Sequence, residues 1–304
     1  TTPGLLHKAP MMLLDRDVPL YVRLSHLPRL APWLVKYLGH ANDTDTRRIA
    51  TALAPIVADS VEQHKSLTAD LGLSDWVTAS DYVFAYRRRA DFDAEAYTWA
   101  LRAQAGFVPQ LIEGDQVADY EPALGPEITC LATVKDHGFI RDPGGYVAAL
   151  AQAFEKGGGT ILQAEVKDFD LTDGTITAVQ TTQGTIACDD IVLATGVWSK
   201  PLMAKLGLNI PLETERGYHV VFKDATGGPS RPTMIASGKF VATPMTQGVR
   251  CAGILEFGGL TAGPSKAPLA LWRRQSKAAF PNLTAAHEIE WLGHRPAPSD
   301  SLPL

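Results

Sequence analysis

The run Asp190-Ile191-Val192-Leu193-Ala194-Thr195-Gly196-Val197-Trp198-Ser199 decides the fold. Four apolar residues, Ile191 to Ala194, read as a strand that stops at Thr195-Gly196. Glycine carries no Cβ, so a strand ending there leaves backbone bare for a flat ligand. Open α/β sheets bind nucleotides at the carboxyl ends of such strands. No glycine-rich G-x-G-x-x-G turn lies upstream.

Just before this run, Asp142-Pro143 has an N-cap residue followed by proline at the first helical position. Tyr146, Val147, Leu150, Ala151 and Phe154 then share one helical face, and Gly157-Gly158-Gly159 ends the helix. Three glycines invite a phosphate-loop reading. They follow a helix instead of opening one, and the helix N-terminus is the anion-binding end. A strand is expected over 160–170. Turns at Asp173-Gly174 and Gln183-Gly184 separate strands over 175–182 and 185–188.

Beyond the run, the pattern predicts a helix over 200–206 and a strand over 212–222. It predicts a hairpin from 240–243 and 248–256, and a helix over 267–280. A strand over 288–292 then runs into the loop-like Gly293-His294-Arg295-Pro296. On the upstream side, Asn42-Asp43-Thr44 caps a helix through Leu71 that Pro55 should kink. A strand over 81–88 and helices over 92–107 and 113–120 complete that part. Residues 5–38 are rich in Leu, Met and aromatics, broken by Pro10, Pro19, Pro28 and Pro32. They read as short helices packed over a domain face, or as a surface that touches a membrane or a redox partner. Thr1-Thr2-Pro3-Gly4 and Ser299 to Leu304 both read as loops that continue.

The 304 residues are enough for about two domains, and a net charge of −5 argues against a nucleic-acid partner. Cys130, Cys188 and Cys251 form no C-x-x-C pair, and the eight histidines show no H-E-x-x-H spacing. Neither a disulfide framework nor a metal site is expected, and a reducing compartment fits. No apolar run approaches the ~20 residues that span a bilayer. A cytoplasmic setting is expected, with the inner face of the membrane as the variant.

Four segments now line up: Asp142-Pro143-Gly144-Gly145-Tyr146, Glu165-Val166, Leu193 to Ser199, and Gly293 to Pro303. Their order resembles the flavin-dependent D-amino-acid oxidase superfamily, nearest to its bacterial D-amino-acid dehydrogenase branch. Trp33-Leu34-Val35-Lys36-Tyr37-Leu38 and Arg216-Gly217-Tyr218-His219 are similar to that branch as well. The resemblance covers essentially the whole chain. It departs at the ends, where the family has its phosphate-cradling βαβ unit and a closing glycine-rich strand and helix. The sequence therefore reads as the central portion of a family member.

The resemblance implies a mixed α/β fold. A partial Rossmann-like FAD-binding domain (143–211 and 293–304) would interleave with a substrate domain on a mostly antiparallel sheet (42–142 and 212–292). Residues 1–41 would pack on both. It implies FAD as cofactor, with Val166, Ala194, Thr195, Gly196 and Trp198 in its site. Val166 is otherwise an ordinary sheet valine, and Trp198 a core tryptophan. Oxidation would carry a hydride from a D-amino acid to flavin, and the imine would hydrolyse to a 2-oxo acid and ammonia. A quinone or another acceptor would then take the electrons. The alternatives are a glycine-, sarcosine- or proline-type amine oxidase and a non-catalytic remnant or binding module.

Arg295 is the expected substrate clamp, because a guanidinium matches a carboxylate in a two-point fork. The competing reading pairs it with Asp300. Tyr218 and His219 are further substrate-binding candidates, although neighbours on a strand face opposite ways and should not both line one pocket. Arg250 is either a second cation or a strand-edge residue. No protein base is assigned, since the flavin carries the chemistry.

Overall fold

The computed structural model describes residues 2–5, 20–73 and 76–303. The expectation for 5–38 falls partly outside them, at residues 6–19. From Leu20 the chain forms β1 (Leu20–Val22), a tight turn and α1 (Leu27–Gly39). Pro28 sits in the first turn of α1, where a missing N–H costs nothing, and Pro32 is accommodated inside. The prolines therefore leave one 13-residue helix where several short ones were expected. Its Leu30 and Trp33 pack on Phe257 and Ala297, and Trp33 Nε1 donates to the Ala297 carbonyl at 2.9 Å.

Next come α2 (Asp43–Val57) and α3 (Ser60–Asp70). The Asn42 side chain caps α2 by accepting from Asp45 N at 2.9 Å. Pro55 cannot donate one turn back, and the helix ends two residues later, so the expected kink is a full break. There follow β2 (Val77–Tyr86), α4 (Arg89–Asp93), α5 (Ala96–Gln104), β3 (Gln110–Glu113), α6 (Gln116–Tyr120) and β4 (Cys130–Ile140). The single helix expected over 92–107 is two. Strand β4 escapes the periodicity reading because Cys130 to Val134 are all buried, so polar and apolar residues do not alternate there.

Helix α7 (Pro143–Lys156) starts as expected, with the Asp142 carboxylate accepting from Gly145 N at 3.0 Å. An antiparallel sheet of β5 (Val166–Thr172), β6 (Thr175–Thr181) and β7 (Gly184–Ala187) follows. Asp173 and Gly174 both take positive φ, 52° and 79°, as a two-residue hairpin turn requires. Residues 160–165 and the opening run 190–195 are not in any strand among the described residues. A strand exists only by pairing its backbone with a neighbour, and among the described residues these segments make one such bond, the Glu165 carbonyl accepting from Thr182 N at 3.0 Å. Ile161, Leu162, Ile191 and Val192 stay exposed, Val192 at 89%.

A short turn at Gly196–Trp198 leads into α8 (Ser199–Lys205). The chain then forms β8 (Leu212–Lys223), β9 (Thr233–Ile235), β10 (Phe240–Met245), β11 (Gly248–Phe257), α9 (Lys266–Ala279) and β12 (His287–Pro298). The main sheet has the order β12-β8-β11-β10-β9-β2-β4-β3, with β1 added parallel to β11. Strand β12 runs unbroken through Gly293 and Arg295, so the loop expected there is strand and the boundary set at 293 falls inside it. Pro296 and Pro298 are tolerated because β12 is an edge strand.

Side-chain alternation along β8 gives the sheet two unlike faces. Leu212, Thr214, Arg216, Tyr218, Val220 and Phe222 are buried, while Glu213, Glu215, His219 and Val221 are only half-buried. Of the first set, Tyr218, Val220 and Phe222 belong to the core under α9. There Trp272 is fully buried, with Phe240 edge-on at 4.7 Å. The second face is the open one.

Candidate active site

A cavity of about 600 Å³ lies on the open face, between the sheet, α3 and the far end of β4. Arg250, Ala252, Thr243 and Arg295 line it from the sheet, with Tyr82 and His137 opposite. Arg250 and Arg295 are its only lysine or arginine side chains among the described residues.

Arg295 stands opposite Glu215, and Gly293 opposite Gly217. The guanidinium folds along the sheet over Gly217: a methyl there would lie 2.7 Å from Arg295 Cζ, Nε and Nη2. Glycine at 217 is thus the seat of the arginine head. Among the described residues Arg295 makes no ion pair, and Asp300 instead accepts from Leu302 N at 3.2 Å. Burial pushes the Glu215 carboxyl up, with Arg295 partly offsetting it.

His219 is on the same face, stacked on Trp291 at 4.6 Å and 13°. Burial, then the charges of Arg250 and Arg295, push its pKa down to about 4. The imidazole is therefore neutral near pH 7.

Tyr218 does not line this cavity. It points to the opposite face, 1% exposed, and donates to Glu256 Oε2 at 2.5 Å while accepting from Ser265 N at 3.0 Å. Glu256 is buried and needs every donor it has. Arg23 Nε at 3.0 Å and Ser265 Oγ at 2.6 Å also reach it, and Arg216 Nη1 lies 3.5 Å away. Burial raises the Glu256 pKa, but the bonds from Ser265, Tyr218 and Arg23 outweigh it and hold the carboxyl below its usual range. This cluster ties β8, β11 and the 262–265 loop together.

The expected cofactor residues sit apart from the cavity. Val166 opens β5, paired with Thr181. Thr195 Oγ1 shares a hydrogen bond with Ser199 Oγ at 2.9 Å, and its carbonyl accepts from Trp198 N. Gly196 has φ +58° and open space where a side chain would stand. Trp198 is half-exposed and meets His294 edge-on at 5.9 Å. His294 and Arg295 are neighbours on one strand, so Trp198 lies on the far side of β12 from the arginine. Trp198 is thus neither a core residue nor part of the Arg295 cavity.

A second cavity of about 540 Å³ runs beside Leu193, Gly196 and Met203 and is walled across by Pro296, Pro298 and Leu302. Bare backbone at Gly196 beside an apolar slot fits one side of a flat cofactor. Leu193, from the strandless run 190–195, lines it as well. The residues present therefore fit part of an FAD site.

Residues 28–304 match the family of FAD dependent oxidoreductases called DAO. The chain belongs to this family. It is 35% identical over 306 residues to a D-amino-acid oxidase of Bradyrhizobium diazoefficiens, covering 99% of this chain and 72% of that one. It is 27% identical to a D-amino acid dehydrogenase of the same organism, covering 99% and 73%. Among solved structures, a glycine oxidase from Bacillus cereus superposes with a TM-score of 0.69 at 18% identity, over 84% of this chain and 70% of that one. The protein is thus an FAD-dependent oxidoreductase, and its mixed α/β fold with a mostly antiparallel sheet is that of flavin amine oxidases.

Sequence reasoning missed the cavity's far wall, because β4 was not legible, and it left Arg250 open. Strand β11 is flanked by β8 and β10, so Arg250 is not an edge residue. The alternation Val249-Arg250-Cys251-Ala252 held the signal: Val249 and Cys251 are buried, and Arg250 faces the other way.

Proposed function

We propose that this protein oxidatively deaminates a D-amino acid to a 2-oxo acid and ammonia, with Arg295 binding the α-carboxylate. The carrying observation is the Arg295 guanidinium, exposed and without an ion pair among the described residues, seated on bare Gly217 backbone at a cavity wall. A carboxylate entering there gains a charge-assisted fork that no carboxylate among the described residues occupies. The two guanidinium groups also make a positive surround that favours a substrate amine over an ammonium. Oxidation needs that neutral amine. Bound FAD supplies the acceptor for the hydride leaving Cα. The chain's own work is to bind, orient and shield the substrate. On this reading residues around Val166 and Ala194 to Trp198 serve the cofactor and the open face of the main sheet serves the substrate.

The names of the two relatives support an amino-acid substrate and leave two acceptors, oxygen or a quinone-like carrier. Oxygen uptake against dye reduction distinguishes them. No helix among the described residues is long and apolar enough to cross a membrane. Leu24, Leu27 and Val35 are exposed around α1 and support the peripheral contact proposed for this segment. Retention on vesicles, lost on replacing these three by serine, tests it.

The deciding experiment incubates the flavin-loaded protein with D-alanine, L-alanine, glycine, sarcosine and D-proline and measures ammonia and 2-oxo acid. D-Alanine should be preferred, and Arg295→Met should raise its KM by about 2–5 kcal/mol equivalent. Preference for glycine or sarcosine would move the reading to the small-amine oxidases. A protein that takes up no FAD and oxidises nothing would be the binding module instead.

A further inference from the structure

We propose that Arg250 is a second anion-binding residue and that the substrate carries an acidic side chain. Its α-carboxylate would rest on Arg295 and its side-chain carboxylate on Arg250. The inference rests on the reading of this cavity as an amino-acid site. Arg250 lies on an interior strand and lines the same cavity as Arg295. Its Nε is buried without a hydrogen-bond partner, and among the described residues it makes no ion pair. A guanidinium held in that way lacks the counter-charge its desolvation calls for.

The protein treats its structural arginines differently. Arg216, fully buried, donates to the carbonyls of Ala262 and Gly263 and sits beside Glu256. Arg23 pairs with Glu256 and donates to Gly263. Arg216 Nε and Nη1 are also buried without a hydrogen-bond partner, but Arg216 has Glu256 beside it; Arg250 has no carboxylate beside it among the described residues, and burial depresses its pKa.

The spacing suits a short dianion. The Arg295 head lies over Gly217, and Arg250 stands opposite Val221, four residues further along β8. At ~3.3 Å per residue that is roughly 13 Å along the strand, with β8 lying between the strands that carry the two arginines, and both side chains line the one cavity. His219 lies midway, flat against Trp291 and neutral. Of the other titratable groups facing the cavity, His64, Tyr82 and His137 carry no negative charge near pH 7. Glu215 stands opposite Arg295 at the far end, so among the described residues no carboxylate lining the cavity competes for Arg250.

Two measurements test this. The flavin-loaded protein is assayed for kcat/KM with D-aspartate, D-glutamate and D-alanine. At least one acidic substrate should exceed D-alanine, and Arg250→Met should cut the acidic-to-neutral ratio by about 30-fold or more. A preference for D-alanine, or a ratio that Arg250→Met leaves unchanged, overturns the proposal. Calorimetric titration with glutarate and with butyrate then reads the site without turnover. Glutarate should bind at least about tenfold more tightly, and Arg250→Met should abolish the difference. Equal binding overturns the inference whatever the activity. If glutarate binds preferentially but no amino acid is oxidised, the oxidase reading falls and the dianion site stands.

Discussion

Replacing Gly217 by alanine should disable substrate binding while leaving the fold intact. The added methyl would lie 2.7 Å from three atoms of the Arg295 head, and ordinary contact is 3.4–4 Å. The guanidinium must therefore retreat by about 1 Å, and a misplacement of that size costs on the order of 100-fold when it spoils substrate orientation. Little stability is at stake. Gly217 needs no positive φ, the clashing atoms end a flexible side chain, and the strain of an off-rotamer arginine is about 0.5–1.5 kcal/mol. Removing a glycine from the unfolded chain recovers about 0.4–1 kcal/mol of that. The assay pairs thermal unfolding with kcat/KM for the preferred amino acid, for Gly217→Ala, Arg295→Met and the double variant. The expected result is an unchanged melting temperature, a large loss in kcat/KM, and no further loss when the substitutions are combined, because both act on one group. An unfolded Gly217→Ala protein, full activity, or additive losses would refute the placement of Arg295 as the clamp.

Three further outcomes are expected. Trp272→Ala should destabilise the protein by about 3–5 kcal/mol in denaturant unfolding, since the ring is fully buried between the sheet and α9. Its indole N–H has no partner among the described residues, so the value should fall toward the lower end. Stability should also fall as pH drops from 6.5 toward about 4. The His219 pKa is depressed in the folded state, so the unfolded chain binds the proton first across that window. His219→Phe should flatten this part of the profile, and an unchanged slope would argue against burial of the imidazole. Thiol reagents should label Cys188 alone in the native protein. Cys130 and Cys251 are buried, with thiols pushed up to about 11 and 12, and all three should react after denaturation.

Much of the candidate site was legible in local chemistry. Arg295 stood out because a guanidinium beside glycine and proline suits a carboxylate, and Arg216 to His219 marked a strand of the substrate sheet. That Tyr218 and His219 cannot share a pocket followed from strand alternation alone. Which of the two faces the cavity did not follow, because that depends on where α9 lies. The same limit held for Arg250, whose value turns on strands placed on either side of it.

The sequence by itself determined the caps, the turns and the alternating strands. Asn42, Asp142 and Asp173-Gly174 act through bonds and dihedrals within a few residues, so no distant partner is needed to read them. The family followed from the order of short motifs along the chain. Only the tertiary structure decided the rest. Strand β4 begins with five residues buried on both faces and carries no period there, and β12 extends through two prolines because it lies at a sheet edge. The run Asp190 to Ser199 has the composition of a strand, yet it forms none among the described residues. Composition sets which backbone is ready to pair, and pairing itself requires a neighbour that local sequence does not specify.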